Sequence, residues 1–178
     1  MKVRYLLLPA LFIAGFLTKA NSQALHPGMP APPLEVRAWL KGKPFDHFEK
    51  GKIYVVEFWA TWCAPCRENI PGLTALAEKY KNEVIVTGIS VMERNPDYVK
   101  VFVDDMGPKM AYNIAADTPD EKGAQGGSMA RNWLTAAGAP GIPYAFIVGR
   151  DGRIAYAGAT TGLEGKLKEV IYQNKAQQ

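Results

Sequence analysis

Residues 53–66 read Ile-Tyr-Val-Val-Glu-Phe-Trp-Ala-Thr-Trp-Cys-Ala-Pro-Cys, and this stretch decides the fold. Its first part, Ile53 to Trp59, is β-branched or aromatic except at Glu57, a run that suits a central strand covered on both faces. From Cys63 to Tyr80 the period changes. Ile70, Leu73, Leu76, Ala77 and Tyr80 recur at helical spacing, and Pro71 inside the pattern predicts a kink. Glu83 to Val91 (EVIVTGISV) then reads as a second buried strand. Two buried strands separated by a helix predict a parallel, right-handed βαβ unit.

Working outward, Leu34 to Leu40 reads as an earlier strand, closed by a Gly42-Lys43-Pro44 turn. Asn95-Pro96 offers an N-cap and a first-turn proline for a helix to about Met106. Asp117 to Gly127 reads as a polar loop, and Ser128 as the cap of a short helix carrying Met129 and Trp133. Tyr144 to Val148 and Ile154 to Gly158 are strands joined by Arg150-Asp151-Gly152, whose Asp-Gly signals a hairpin. A last amphipathic helix, about Leu163 to Gln173, lines up Leu163, Leu167, Val170 and Ile171. The expected class is α/β, with a central mixed β-sheet flanked by helices.

Composition agrees. With 178 residues, 48% apolar and 21% charged, the chain is too apolar for disorder and long enough for one packed core. Residues 1–24 carry Lys2, Arg4 and Lys19, no acid, and the apolar run Leu6 to Leu17, ending in Ser22-Gln23-Ala24 with small residues where a signal peptidase reads. The expectation is an export signal cleaved after Ala24, followed by one domain over residues 25–178 in a periplasmic or other extracytoplasmic compartment. An uncleaved anchor is the other reading, although the apolar run falls short of the ~20 residues a membrane-spanning helix needs. Three of the 21 basic residues lie in this segment, leaving 18 against 17 acids. The pI of 9.0 therefore belongs to the address. No basic cluster with interleaved aromatics remains, and a nucleic-acid partner is excluded.

The two cysteines rule out a disulfide-dense scaffold and a four-thiolate cluster. Their placement, directly after a buried strand and opening a helix, is where unpaired N–H groups and the helix dipole favour an anion, so Cys63 should be acidified and nucleophilic. Cys66, one turn further on, can close a disulfide, Pro65 limits the intervening dipeptide, and Trp62 flanks the pair. The pair then acts as a two-electron switch, Cys63 attacking a partner disulfide and Cys66 resolving the mixed disulfide. A structural disulfide is the plainer reading, but so short a loop contributes only about 2 kcal/mol in the chain-entropy model. A metal site would need Cys63, Cys66, His26 and His47, whose spacing is unlike that of zinc modules, so no metal or cofactor is expected. The histidines read as surface residues, and Trp39, Trp133 and the methionines as packing.

Glu57 stands out because a carboxyl in an apolar strand is costly to ionise without a partner. One reading turns it to an edge or a buried water. The other gives it a raised pKa with which to take the proton of Cys66. Pro143, in Gly141-Ile142-Pro143, fits the start of a strand, and a trans bond is the default there.

Together these residues resemble the thioredoxin-like superfamily, specifically the exported TlpA/ResA-type redoxins related to the AhpC/TSA peroxidases. The match runs along Val55 to Cys66, through Pro71 at the family's helix kink, and through Gly141-Ile142-Pro143-Tyr144-Ala145-Phe146 as G-x-P-x-x-F. The resemblance implies a cis Pro143 and puts Glu57 at the position of the family's buried acid. It also implies thiol–disulfide exchange, typically reduction of disulfides in exported proteins or apocytochrome c, recharged by a membrane electron donor. Ala139-Pro140 and the Asp117 to Gly138 region depart from the family pattern, which bears on partner choice. A peroxidase of the AhpC/TSA type is the alternative enzyme. Its signature places Thr or Ser three residues before the reactive cysteine, where this chain has Ala60. A non-catalytic binding module or copper chaperone is the other class, but copper carriers of this fold resemble CxxxC rather than CxxC.

Overall fold

A computed structural model describes residues 24–118 and 126–175. Six strands form one mixed sheet: β1 (Val36–Lys41), β2 (Ile53–Trp59), β3 (Val84–Ser90), β4 (Asn113–Asp117), β5 (Tyr144–Val148) and β6 (Ile154–Ala159), in the order β1-β4-β3-β2-β5-β6. Three helices accompany them, α1 (Ala64–Lys79), α2 (Tyr98–Met106) and α3 (Leu163–Lys175). β2, β3 and β4 are mutually parallel, so β2-α1-β3 is the βαβ unit read from the sequence, and β3-α2-β4 repeats it. β5 runs antiparallel to β2, and β6 and β1 close the two edges antiparallel to their neighbours.

Period-two alternation along β2 builds two cores. Ile53, Val55 and Trp59 face α1, α2 and α3. Tyr54, Val56 and Phe58 face the opposite layer, an aromatic cluster with Phe146 and Trp133 covered by residues 129–134 and by the leader from Leu25. All seven β2 residues are buried, which explains why the sequence there is nearly continuously apolar.

Several local expectations shift. The first strand starts at Val36 and ends at Lys41, and α2 starts at Tyr98 with Asp97 at the cap, while Asn95 instead accepts the Asp97 N–H at 3.2 Å. β4 was absent from the sequence reading: Asn-Ile-Ala-Ala-Asp has little strand propensity, and pairing to β1 and β3 supplies what propensity does not. The segment after it also differs. Ser128 lies within the first turn of the short helix, and the cap is Asp117, whose carboxylate accepts the N–H groups of Met129 (2.9 Å) and Ala130 (3.0 Å). That helix continues as a π-helical segment over Ala130–Thr135, with Ala136 N–H bonded to Arg131 O. Gly127 must stay bare here, since a Cβ would meet the Thr118 carbonyl oxygen at 1.7 Å.

Candidate active site

β2 delivers the chain to the site through one tight turn. Ala60 O accepts the Cys63 N–H at 3.1 Å, making Thr61 and Trp62 the central residues. Cys63 is the N-cap of α1, in extended conformation, and its Sγ accepts the Cys66 N–H at 3.3 Å. Cys63 and Cys66 form a disulfide, with Cα atoms 5.3 Å apart. No acid occupies the first turn of α1 and Pro65 sits in it, so nothing there opposes the dipole's preference for a thiolate at Cys63. Both sulfur-bearing residues are nearly enclosed, Cys63 at 4% and Cys66 at 1% exposure, while Trp62 beside them is 42% exposed. Pro71 lies inside α1, where it removes one backbone donor.

The segment entering β5 faces the pair. Ile142–Pro143 is a cis peptide, and the Ile142 carbonyl oxygen lies 3.8 Å from Cys63 Sγ. Because β5 is hydrogen-bonded to β2, the proline is fixed relative to the strand that carries the cysteines.

Glu57 shares the β2 face of Val55 and Trp59, the face covered by α1 and both cysteines. Its carboxyl is buried, neither oxygen has a hydrogen-bond partner among the described residues, and burial pushes its pKa up to about 8. Gly88 of β3 stands opposite it in register. The bare glycine admits the Trp59 indole and the Tyr112 ring, both 3.1 Å from where a Cβ would stand. The Trp59 Nε1 and the Tyr112 hydroxyl are likewise buried without a partner. Burial first, and the nearby Glu57 second, raise the Tyr112 pKa, so this phenol keeps its proton.

The other sequence candidates lie elsewhere. His26 and His47 are exposed, and among the described residues no three His, Cys, Asp or Glu side chains gather to hold a metal. Trp133 is fully buried and bonds Pro33 O, and Trp39 packs against Phe45 with the rings tilted at 47°. The sequence reading did not single out the loop after β3. There the Glu93 carboxylate takes hydrogen bonds from Thr61 and Ser90, Met92 O accepts the Trp62 indole N–H at 2.9 Å, and Arg94 lies 5.3 Å from the Trp62 ring centroid. The available signal was weak: two charges at the C-terminal end of a parallel strand, where open sheets place their sites.

A disulfide-forming CxxC pair at a helix start, backed by a central strand of a mixed sheet and faced by a cis-proline, defines the thioredoxin-like thiol–disulfide oxidoreductases. The chain belongs to the Redoxin family, whose profile matches residues 26–171. It is 34% identical over 158 residues to Protein FixW of Rhizobium leguminosarum, covering 86% of this chain and 69% of that one. It is 30% identical over 184 residues to the thiol:disulfide interchange protein HelX of Rhodobacter capsulatus, covering 94% and 90%. Among solved structures, a thiol-disulfide isomerase from Corynebacterium glutamicum superposes with a TM-score of 0.64 at 25% identity, covering 79% of this chain and 96% of that one.

Proposed function

We propose that the protein is an extracytoplasmic reductase of protein disulfides, with Cys63 as nucleophile, Cys66 as resolving thiol and Glu57 as the acid/base for Cys66. The carrying observation is the Cys63–Cys66 disulfide at the α1 start with an unpartnered buried carboxyl on the same sheet face. In the dithiol form the Cys63 thiolate attacks one sulfur of a substrate disulfide, forming a mixed disulfide and expelling the other sulfur as a thiolate. Glu57 takes the Cys66 proton. The Cys66 thiolate then attacks Cys63 Sγ, closing the intramolecular disulfide and releasing the second substrate thiolate, so two electrons pass from protein to substrate. A membrane dithiol donor restores the pair by the reverse exchange.

The substrates proposed are disulfides of exported proteins, including the paired cysteines of apocytochrome c, which the family resemblance supports. Residues 1–24 supply the export signal and residues 25–178 the functional domain. They fall partly outside the described residues, and amino-terminal sequencing of the exported protein should begin at Leu25.

The test is insulin reduction with a thiol donor. Cys63→Ser should abolish it, and Cys66→Ser should accumulate mixed disulfides resolvable on non-reducing gels. Wild-type activity in both variants would falsify the assignment. Equilibration with glutathione gives the potential of the pair, and a value near the strongly oxidising −120 mV would reverse the proposed direction.

A further inference from the structure

We infer that Glu93 is a positioning residue of the redox site, its carboxylate holding the Thr61–Trp62 turn that presents Cys63. The inference rests on disulfide exchange at Cys63 and adds a residue that fixes where that sulfur stands.

Three donors converge on this one carboxylate. Oε1 accepts the Thr61 backbone N–H at 2.8 Å and the Ser90 hydroxyl at 2.6 Å, and Oε2 accepts the Thr61 hydroxyl at 2.6 Å. An ionised carboxylate is the side chain suited to this task, because it offers lone pairs on both oxygens and no donor to oppose the incoming protons. Thr61 and Trp62 are the two central residues of the turn closed by Cys63 N–H on Ala60 O. Both are held from the same loop: Thr61 by Glu93, and Trp62 by its indole bond to Met92 O with Arg94 over its ring.

Backbone conformation marks the loop as built for this. Met92 has φ of 53°, the left-handed region that a non-glycine residue adopts at a cost. That conformation accompanies the bond between its carbonyl oxygen and the indole and leaves Glu93 turned back toward Thr61. The Val91 N–H bonded to Trp59 O at 2.9 Å ties the loop's start to the end of β2. Cys63 is thus located by α1, which it caps, and by the preceding turn, which Glu93 holds.

Disulfide exchange needs the attacking sulfur in line with the bond it breaks, and small misplacements of reacting atoms are costly. The same location keeps Cys63 Sγ on the Cys66 N–H, which stabilises the thiolate. Titratable and charged groups around Glu93 and the turn are Arg94 of the loop, Arg37 of β1 and Asp117 of β4, which line one cavity with Glu93, together with Glu57 of β2 and Cys66 and Arg67 in the first turn of α1.

The test is the pH profile of Cys63 alkylation by iodoacetamide in the reduced full-length protein, alongside insulin reduction. Positioning predicts that Glu93→Ala moves the Cys63 alkylation midpoint upward by about one pH unit and lowers kcat/KM about tenfold. Glu93→Gln should restore both to within about threefold, because its carbonyl keeps two donors and its amide can donate to the Thr61 hydroxyl. If Glu93 acted through its charge alone, Ala and Gln would both move the midpoint downward, overturning the inference. A midpoint unchanged in Glu93→Ala, with only thermal stability lost, would do the same. Thr61→Val deletes one of the three bonds without the cavity and covers the case in which Glu93→Ala does not fold. It should show a smaller upward shift, and no shift rejects the clamp. An inactive wild-type protein would instead reject the reductase reading.

Discussion

The carboxyl of Glu57 on β2 is buried with no hydrogen-bond partner among the described residues. Glu57 was conspicuous in the sequence as the one acid in an apolar strand, because elementary desolvation makes such a residue expensive. Its pKa is raised from 4.5 to about 8 by burial, so the unfolded chain ionises it first as pH rises. The native state is therefore undisturbed by this group below about pH 4.5, loses stability as pH rises toward 8, and carries the full penalty above that. The difference corresponds to roughly 4–5 kcal/mol at about 1.4 kcal/mol per unit. Oxidised Glu57→Gln should gain on wild type across that window in urea unfolding, and a pH-independent difference would rule out an ionising buried Glu57. Resolution of the mixed disulfide should move oppositely: its rate climbs toward pH 8 in wild type as the base ionises, and stopped-flow measurements should find that limb missing in Glu57→Gln. Glu93 was illegible by the same logic. An acid in a polar loop resembles any solvated charge, and only the approach of Thr61, which lies 32 positions upstream, reveals its load.

At the scale of elements, what could be read was what has a period. β2, α1, β3, the β5–β6 hairpin and α3 carry strong alternation or helical spacing, and the structure has them within a few residues. β4 has neither. Ala115 and Ala116 are strand residues because β3 and β1 flank them, a tertiary decision with no local trace. Ser128 is not the cap of the following helix for a related reason, since Asp117 caps it from 12 and 13 positions upstream of the N–H groups it accepts. Asp117→Ala should therefore cost about 1–2 kcal/mol, as loss of a cap does, while Ser128→Ala stays within about 0.5 kcal/mol of wild type. Chemical denaturation of both variants decides between the two caps, and a larger loss at Ser128 would restore the sequence reading. β3 makes a second demand. A methyl at Gly88 would stand 3.1 Å from Trp59 Nε1 and Tyr112 Cε2 and 3.2 Å from Ile114 Cδ1. Gly88→Ala should then cost about 1–3 kcal/mol by overpacking and disturb the Glu57 environment, visible as a displaced pH limb in the resolution rate.

For the whole molecule, the mixed sheet follows from handedness and from the hairpin, but the closure of its second face does not. Residues 25–33, a stretch with four prolines and no hydrophobic periodicity, are structural. Leu25 is buried and its N–H bonds Ala136 O at 2.7 Å, tying the leader to the segment after the π-helical turn. Gly28 N–H bonds Ile154 O at 2.7 Å, Ile154 N–H bonds Met29 O at 2.8 Å, and Ala31 N–H bonds Gly152 O at 3.0 Å, so the leader also secures the beginning of β6. Pro33 O accepts the buried Trp133 indole N–H. The prolines that argue against regular structure thus fit a segment that spends three of its backbone donors, at Leu25, Gly28 and Ala31, on the helical layer and the sheet edge. A chain starting at Leu25 keeps every one of these contacts, and one starting at Leu34 loses them together. Burial of Leu25 contributes about 1.5–3 kcal/mol and each net hydrogen bond about 0.5–1.5 kcal/mol. With five such bonds lost, the shorter chain should unfold about 4–10 kcal/mol more easily in urea than the longer one, with its disulfide still able to form. Equal midpoints would mean that the leader is a passive tether, and that the aromatic layer under β2 and β5 holds without it.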